Sequence, residues 1–172
     1  MKRKLLILSF ILLSAMTIGH AQEQASAVLD KAYAQAKKEN KKVLLVFHAS
    51  WCGWCKKMDT NMTTDATKKL FSDNYVIAHL TVQESPKNKN LENPGGEGVL
   101  KKFGGANAGL PFWVILDAEG NMQANSVMDN KENSGCPSTP EEVADFVTKL
   151  KKTSKLNDKQ LAVIRETFVL KK

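Results

Sequence analysis

Cysteine is scarce in this sequence, with three residues among 172. That is too few for a small disulfide-stapled scaffold, so the chain has to build an ordinary apolar core. Aromatic residues are also few, at 7%, and Arg3 and Arg165 are the only arginines. The formal charge of +7 comes largely from lysines that recur in pairs, at 37/38, 41/42, 56/57, 68/69, 101/102, 151/152 and 171/172, among many carboxylates. Without an arginine-rich or aromatic-interleaved patch, nucleic-acid binding is not expected, and the lysines read as a solvated surface. The sequence also lacks an apolar run of the roughly 20 residues that a membrane-spanning helix needs. It shows no internal repeat and no domain linker.

The N-terminus carries Lys2-Arg3-Lys4, an apolar stretch over 5–13, uncharged residues up to Gly19 and the small-residue pattern Gly19-His20-Ala21. That layout predicts a secretory signal peptide over residues 1–21, with Gln22 as the first mature residue. No Cys stands at the expected cut, so a lipoprotein anchor is not predicted. The mature segment 22–172 has 151 residues and a formal charge of +4 once Lys2, Arg3 and Lys4 are gone. Its length suits one domain.

Val28, Leu29, Ala32, Tyr33 and Ala36 fall at helical spacing and predict a helix over 26–40. Residues 43–47 are apolar without alternation, as in a strand covered on both faces. Helical pieces are expected over 56–62 and 64–71, and a second strand over 75–82. Residues 83–98 are polar and turn-rich, which predicts a surface loop with little to bury. A short helix over 97–103 precedes a Gly-rich stretch, Leu110-Pro111 and an apolar strand over 112–116; a turn at 117–121 then returns residues 122–128 as a hairpin partner. A polar loop over 129–138 holds Cys136. Thr139-Pro140-Glu141-Glu142 is a helix start, with a capping hydroxyl, Pro at the first helical position and Glu at the third. Val143, Phe146, Val147 and Leu150 form the stripe that this helix should bury. Residues 157–160 repeat the capping pattern before a last helix with Leu161, Ile164 and Phe168 inward. The class is α/β.

Chemistry concentrates in Phe47-His48-Ala49-Ser50-Trp51-Cys52-Gly53-Trp54-Cys55-Lys56-Lys57-Met58. Two thiols separated by two residues at a helix start can close a disulfide with little backbone movement, and the first faces the unpaired amides of that helix. Those amides favour the thiolate, the reactive form, so Cys52 is the expected nucleophile, acidic and open to solvent. Cys55, one turn deeper, is expected to resolve the mixed disulfide. A structural staple could share this spacing, although so short a loop removes little chain entropy. A zinc site would need a second ligand pair, which is missing, and covalent haem attachment would need His where Lys56 stands.

Trp51-Cys52-Gly53-Trp54-Cys55-Lys56 resembles the active-site motif of the thioredoxin superfamily, and the order of elements matches over nearly the whole mature chain. The resemblance implies a thioredoxin-like three-layer sandwich whose central mixed sheet of about four strands is flanked by helices. It also implies that Pro111 is a cis-proline against Cys52 and that the Leu110 backbone pairs with an extended substrate segment. Gly53-Trp54 and the 47–50 lead-in look most similar to exported bacterial thioredoxin-like proteins, which places the chain in the periplasm or outside the cell. The chain departs from the superfamily pattern at Val46, where thioredoxin has a buried acid, and in the longer 83–98 connection. Trp54 is expected to be exposed and to touch protein substrates; Trp51 either packs beside the site or serves as a substrate platform. His48, Lys56 and Cys136 are candidate tuning residues. Their plainer readings are a satisfied rim histidine, a surface lysine and a free, partly buried thiol.

The implied activity is dithiol/disulfide exchange with protein substrates, as a reductase or isomerase rather than a strong oxidant. A membrane or periplasmic redox partner would keep it charged, and no organic cofactor or metal is required. A monomer is expected. The alternative is a non-catalytic binding protein that uses the same groove for unfolded chains or a soft metal such as Cu(I), although no supporting Met and His cluster lies near the pair.

Overall fold

The computed structural model describes residues 22–170, so the signal-peptide assignment over 1–21 lies outside the described residues. α1 (Ala25–Glu39) ends at Asn40, whose left-handed backbone stops the helix, and leads into β1 (Lys42–His48). β1 occupies the middle of the sheet, in the order β2-β1-β3-β4. It runs parallel to β2 (Tyr75–Thr81) and antiparallel to β3 (Phe112–Leu116), which pairs with β4 (Met122–Asn125).

The non-alternating apolar runs of β1 and β3 have the predicted cause, since both faces of the sheet are covered. Val43, Leu45, Phe47, Phe112 and Val114 pack under α1 and Leu100 of α4 (Gly96–Lys102). Leu44, Val46, Trp113 and Ile115 point the other way, against α2 (Gly53–Thr63), α3 (Lys68–Asn74), α5 (Pro140–Thr153) and α6 (Asp158–Phe168). An aromatic cluster centred on Phe146, with Trp113 and Phe168 each 5.1 Å away, ties α5 and α6 to the sheet. α5 and α6 begin with the capping boxes Thr139/Glu142 and Asn157/Gln160, so both start where the sequence predicts. These elements make the expected three-layer α/β sandwich, and no helix among the described residues is long and apolar enough to cross a membrane.

The start of α2, the start of α3, the end of β4 and the character of segment 83–98 depart from the sequence reading, each for a local reason. α2 starts at Gly53 rather than 56, because the Cys52 sulfur accepts the Cys55 N–H at 3.1 Å and caps the first turn. α3 starts at Lys68 rather than 64, because Thr67 turns its hydroxyl back to Asn61 O and bonds the Thr64 hydroxyl at 2.7 Å. β4 ends at Asn125 because Ser126 is fully buried and exchanges bonds with Trp113, its N–H donating to Trp113 O at 2.9 Å and its Oγ accepting the Trp113 N–H at 3.2 Å. The segment 83–98 is more than a surface loop. It contains a 3₁₀ turn (Pro86–Leu91), and it buries Glu84 and Asn93. Asn93 links the Thr81 N–H at 2.7 Å to Glu23 O at 2.8 Å, which docks the start of α1.

The bend after α4 is closed by Gly105, whose N–H reaches Leu100 O at 2.9 Å. A Cβ there would lie 2.3 Å from Leu100 Cδ1 and 2.8 Å from the Phe112 ring, both fully buried. Gly105→Ala is therefore expected to destabilise the fold by about 1–3 kcal/mol through overpacking, read as a lower urea midpoint at unchanged slope.

Candidate active site

β1 delivers its C-terminal end to the sheet rim, where the chain turns through 49–51 and enters α2. Cys52 is the N-cap of that helix in an extended conformation, and it is bonded to Cys55 with Cα atoms 5.3 Å apart. The capping bond from the Cys55 N–H aims the positive end of α2 at the Cys52 sulfur. The two residues are 3% and 1% exposed. This corrects the expectation of an open Cys52: the order of exposure is as predicted, but both residues are nearly enclosed. Ala49 and Leu110 complete a small apolar cluster around them.

The Leu110-Pro111 peptide is cis. Asn133 holds the loop, with its Nδ2 donating to Gly109 O at 2.6 Å and Pro111 O at 3.1 Å. These bonds take the carbonyls on either side of Leu110 and leave that of Leu110 unpaired among the described residues. Gly135, with φ +55°, lies so that a Cβ there would meet Pro111 O at 3.6 Å, and its carbonyl accepts the Trp113 indole N–H at 2.9 Å. Between this loop and Trp54 lies a groove of about 270 Å³, lined also by Leu110, Cys136 and Glu142.

Trp51 and Trp54 are 59% and 50% exposed. Trp51 is nevertheless pinned, its indole N–H donating to Gln83 O at 2.9 Å. Gly53 opens α2 in free space, with nothing near its missing side chain. Lys56 and Lys57 point to solvent. Val46 is buried in the core opposite His79 of β2. His48 bonds the Thr81 hydroxyl at 3.1 Å, and its ring centre is 5.1 Å from that of His79, which bonds Asp59 of α2 at 2.9 Å. Burial, then the neighbouring His79, push the His48 pKa down, against the pull of Asp59 and Glu84.

Three residues here escaped the sequence reading. Glu84 accepts both the backbone N–H and the hydroxyl of Ser50, Asn133 holds the Pro111 loop, and Asp59 sits one turn past Cys55. Each lies in a polar stretch or on a half-exposed helix face, where nothing in local sequence separates it from its neighbours.

A family model described as thioredoxin-like matches residues 24–118. The thiol:disulfide interchange protein DsbD 1 of Pseudomonas aeruginosa is 32% identical over 77 residues, which is 45% of this chain and 12% of that protein. The match thus spans a small part of that relative's length. A disulphide isomerase from Xylella fastidiosa Temecula1 superposes with TM-score 0.52 at 20% identity, covering 91% of this chain and 95% of its own. A DsbH oxidoreductase gives TM-score 0.49 at 22% identity over 79% of this chain and 85% of its own. The fold is thioredoxin-like, with a Cys-x-x-Cys disulfide at the start of α2.

Cys136, the free cysteine of the described residues, is 5% exposed and belongs to the core beneath α5. Burial pushes its thiol up to about 12, with Lys57 opposing and Glu142 and Asp59 adding to the rise. Its thiolate population near neutral pH is thus about a thousandfold below that of a free thiol. In the oxidised protein at pH 8, iodoacetamide is expected to leave Cys136 unlabelled over the time that labels it fully in urea, as read by mass spectrometry. Prompt labelling of the folded protein would contradict this. The unfolded thiol loses its proton near 9.0 while the folded one keeps it, so this group makes stability fall as pH rises from about 9 to about 12.

Proposed function

The chain belongs to the thioredoxin-like family, and from that premise we propose that it is an exported thiol-disulfide oxidoreductase, acting on protein substrates as a reductase or isomerase rather than a strong oxidant. The observation that carries this reading is the Cys52–Cys55 disulfide capping α2 beside the cis Leu110-Pro111 loop. In the reduced protein the Cys52 thiolate attacks one sulfur of a substrate disulfide. A Cys52–substrate bond forms, and the other substrate sulfur leaves and takes up a proton. Cys55, having given up its proton, then attacks the Cys52 sulfur. The Cys52–Cys55 bond forms and the second substrate thiol is released. Two electrons pass to the substrate, and a redox partner at the membrane or in the periplasm returns them. The helix end stabilises the thiolate, and no organic cofactor is needed.

Narrow access to Cys52 suits an extended segment laid along Leu110, with its backbone on the unpaired carbonyl and its side chains against Trp54 and the adjoining groove. Export rests on the charged, apolar and small-residue zones over 1–21, and residues 22–172 act as one monomeric domain.

In an insulin-reduction assay with dithiothreitol, the wild type is expected to accelerate precipitation. Cys52→Ser should fall to the rate of reagent alone, a loss of at least about a hundredfold in catalysed exchange. Cys55→Ser should retain attack and accumulate a mixed disulfide visible on non-reducing gels. A wild type no faster than reagent alone, with tight Cu(I) uptake, would replace this reading with the binding one.

A further inference from the structure

Glu84 is a buried carboxylate that the exchange steps leave unused. It is 4% exposed, and its Oε2 accepts the Ser50 hydroxyl at 2.8 Å while its Oε1 accepts the Ser50 N–H. Ser50 stands two residues before Cys52. Parallel links run beside this one, from Val82 N–H to His48 O at 2.9 Å and from the Trp51 indole to Gln83 O at 2.9 Å. The segment 82–84 therefore grips the whole lead-in to the disulfide.

Burying a carboxylate is unfavourable unless a cation or good donors meet its charge. Among the described residues no cation pairs with Glu84, and its carboxylate accepts from the two groups of Ser50. Its own N–H donates to Glu92 at 2.7 Å. The segment 83–98 carries three carboxylates, Glu84, Glu92 and Glu97, against two lysines, Lys87 and Lys89, the second of which pairs with Glu92. This side of the active-site turn therefore carries net negative charge. The other titratable groups around the turn include Lys56, Lys57 and Asp59 on α2, Glu142 on α5, and His48 and His79.

We infer that Glu84 is a positioning residue with an electrostatic effect: it holds the Ser50-Trp51 lead-in, and its negative charge opposes a thiolate at Cys52 and so draws the Cys52/Cys55 couple toward disulfide. A couple whose thiolate is favoured is a strong oxidant, and one whose thiolate is opposed is a better reductant. The inference rests on the proposed exchange function and names a residue that sets its direction. The amide end of α2 and Glu84 act on the same sulfur with opposite sign.

Glu84→Gln separates charge from position. The amide oxygen keeps the Ser50 N–H, and the NH₂ donates to the Ser50 hydroxyl, which accepts as well as donates. Wild type and variant are equilibrated in glutathione buffers at pH 7, and the oxidised fraction is read by thiol alkylation. E84Q is expected to shift the equilibrium toward dithiol by about tenfold, which is about 30 mV for this couple. Thiolate absorbance of its reduced form should rise. Ser50→Ala, which removes a donor and keeps the charge, is expected to stay within about twofold of wild type. An unmoved E84Q equilibrium, a shift toward disulfide, or an equal shift in S50A overturns the inference. Should E84Q not fold, Glu92→Gln removes a neighbouring charge while its amide oxygen still accepts the Glu84 N–H; it is expected to shift the equilibrium the same way by about two- to threefold, and no shift overturns the inference. A wild type without catalysed exchange in the insulin assay removes the exchange function itself; wild-type exchange with an unmoved E84Q removes only the part given to Glu84.

Discussion

An unpaired helix end set against a sulfur pair is the constraint to which the rest of the structure answers. The first amides of α2 have no partners within the helix, and one of them, the Cys55 N–H, is satisfied by the Cys52 sulfur. That bond needs Cys52 held extended at the N-cap, with the chain entering from the end of β1. β1 can supply a rigid entry because it is central, paired on both edges and covered on both faces. The rim where it ends is the place where a buried strand can present chemistry to a partner, and two polar segments converge on that rim. From the β2 side, 82–84 grip 48–51; from the β4 side, Asn133 and Gly135 hold the Pro111 loop.

The two grips differ in kind. Asn133 is neutral and works by geometry, fixing the carbonyls around Leu110 so that the carbonyl of Leu110 is free to pair. Glu84 brings a charge with its geometry. A buried charge bonded to Ser50, two residues before a reactive sulfur, is screened far less than a surface ion pair. With Val46 in the strand, no acid among the described residues stands at that core position, and the acidic groups around the site are Glu84 after β2, Asp59 on α2 and Glu142 on α5.

The sheet and the long helices were legible because their signals are repetitive. Val43 to Phe47 and Phe112 to Leu116 read as doubly covered strands, and Thr139 and Asn157 announced their helices through side chains that do the capping. The Cys52/Cys55 pair and Pro111 were legible because the chemistry tolerates few other residues there. What stayed hidden depends on long-range pairing. Glu84 meets Ser50 across 34 positions and Asn133 meets Pro111 across 22, and neither separation leaves a local pattern. The polarity of 83–98 suggested exposure, whereas the structure buries two of its polar residues because each finds backbone partners. The openness of Cys52 was overestimated for a related reason: the side chain that covers it, Leu110, arrives from 58 residues away.

Cys136 shows how burial near a redox site can silence a thiol. It lines the groove beside Leu110 and Trp54, next to the loop that packs on the disulfide. Attack on a disulfide needs a thiolate, and with its ionisation pushed up to about 12 this thiol is ionised in roughly one molecule in 10⁵ at pH 7. The higher intrinsic nucleophilicity of a basic thiolate recovers only part of that deficit, since reactivity rises with less than half the slope of the pKa. The same apolar packing that makes Cys136 a satisfactory core residue under α5 therefore keeps a third sulfur beside the exchanging pair from entering the exchange.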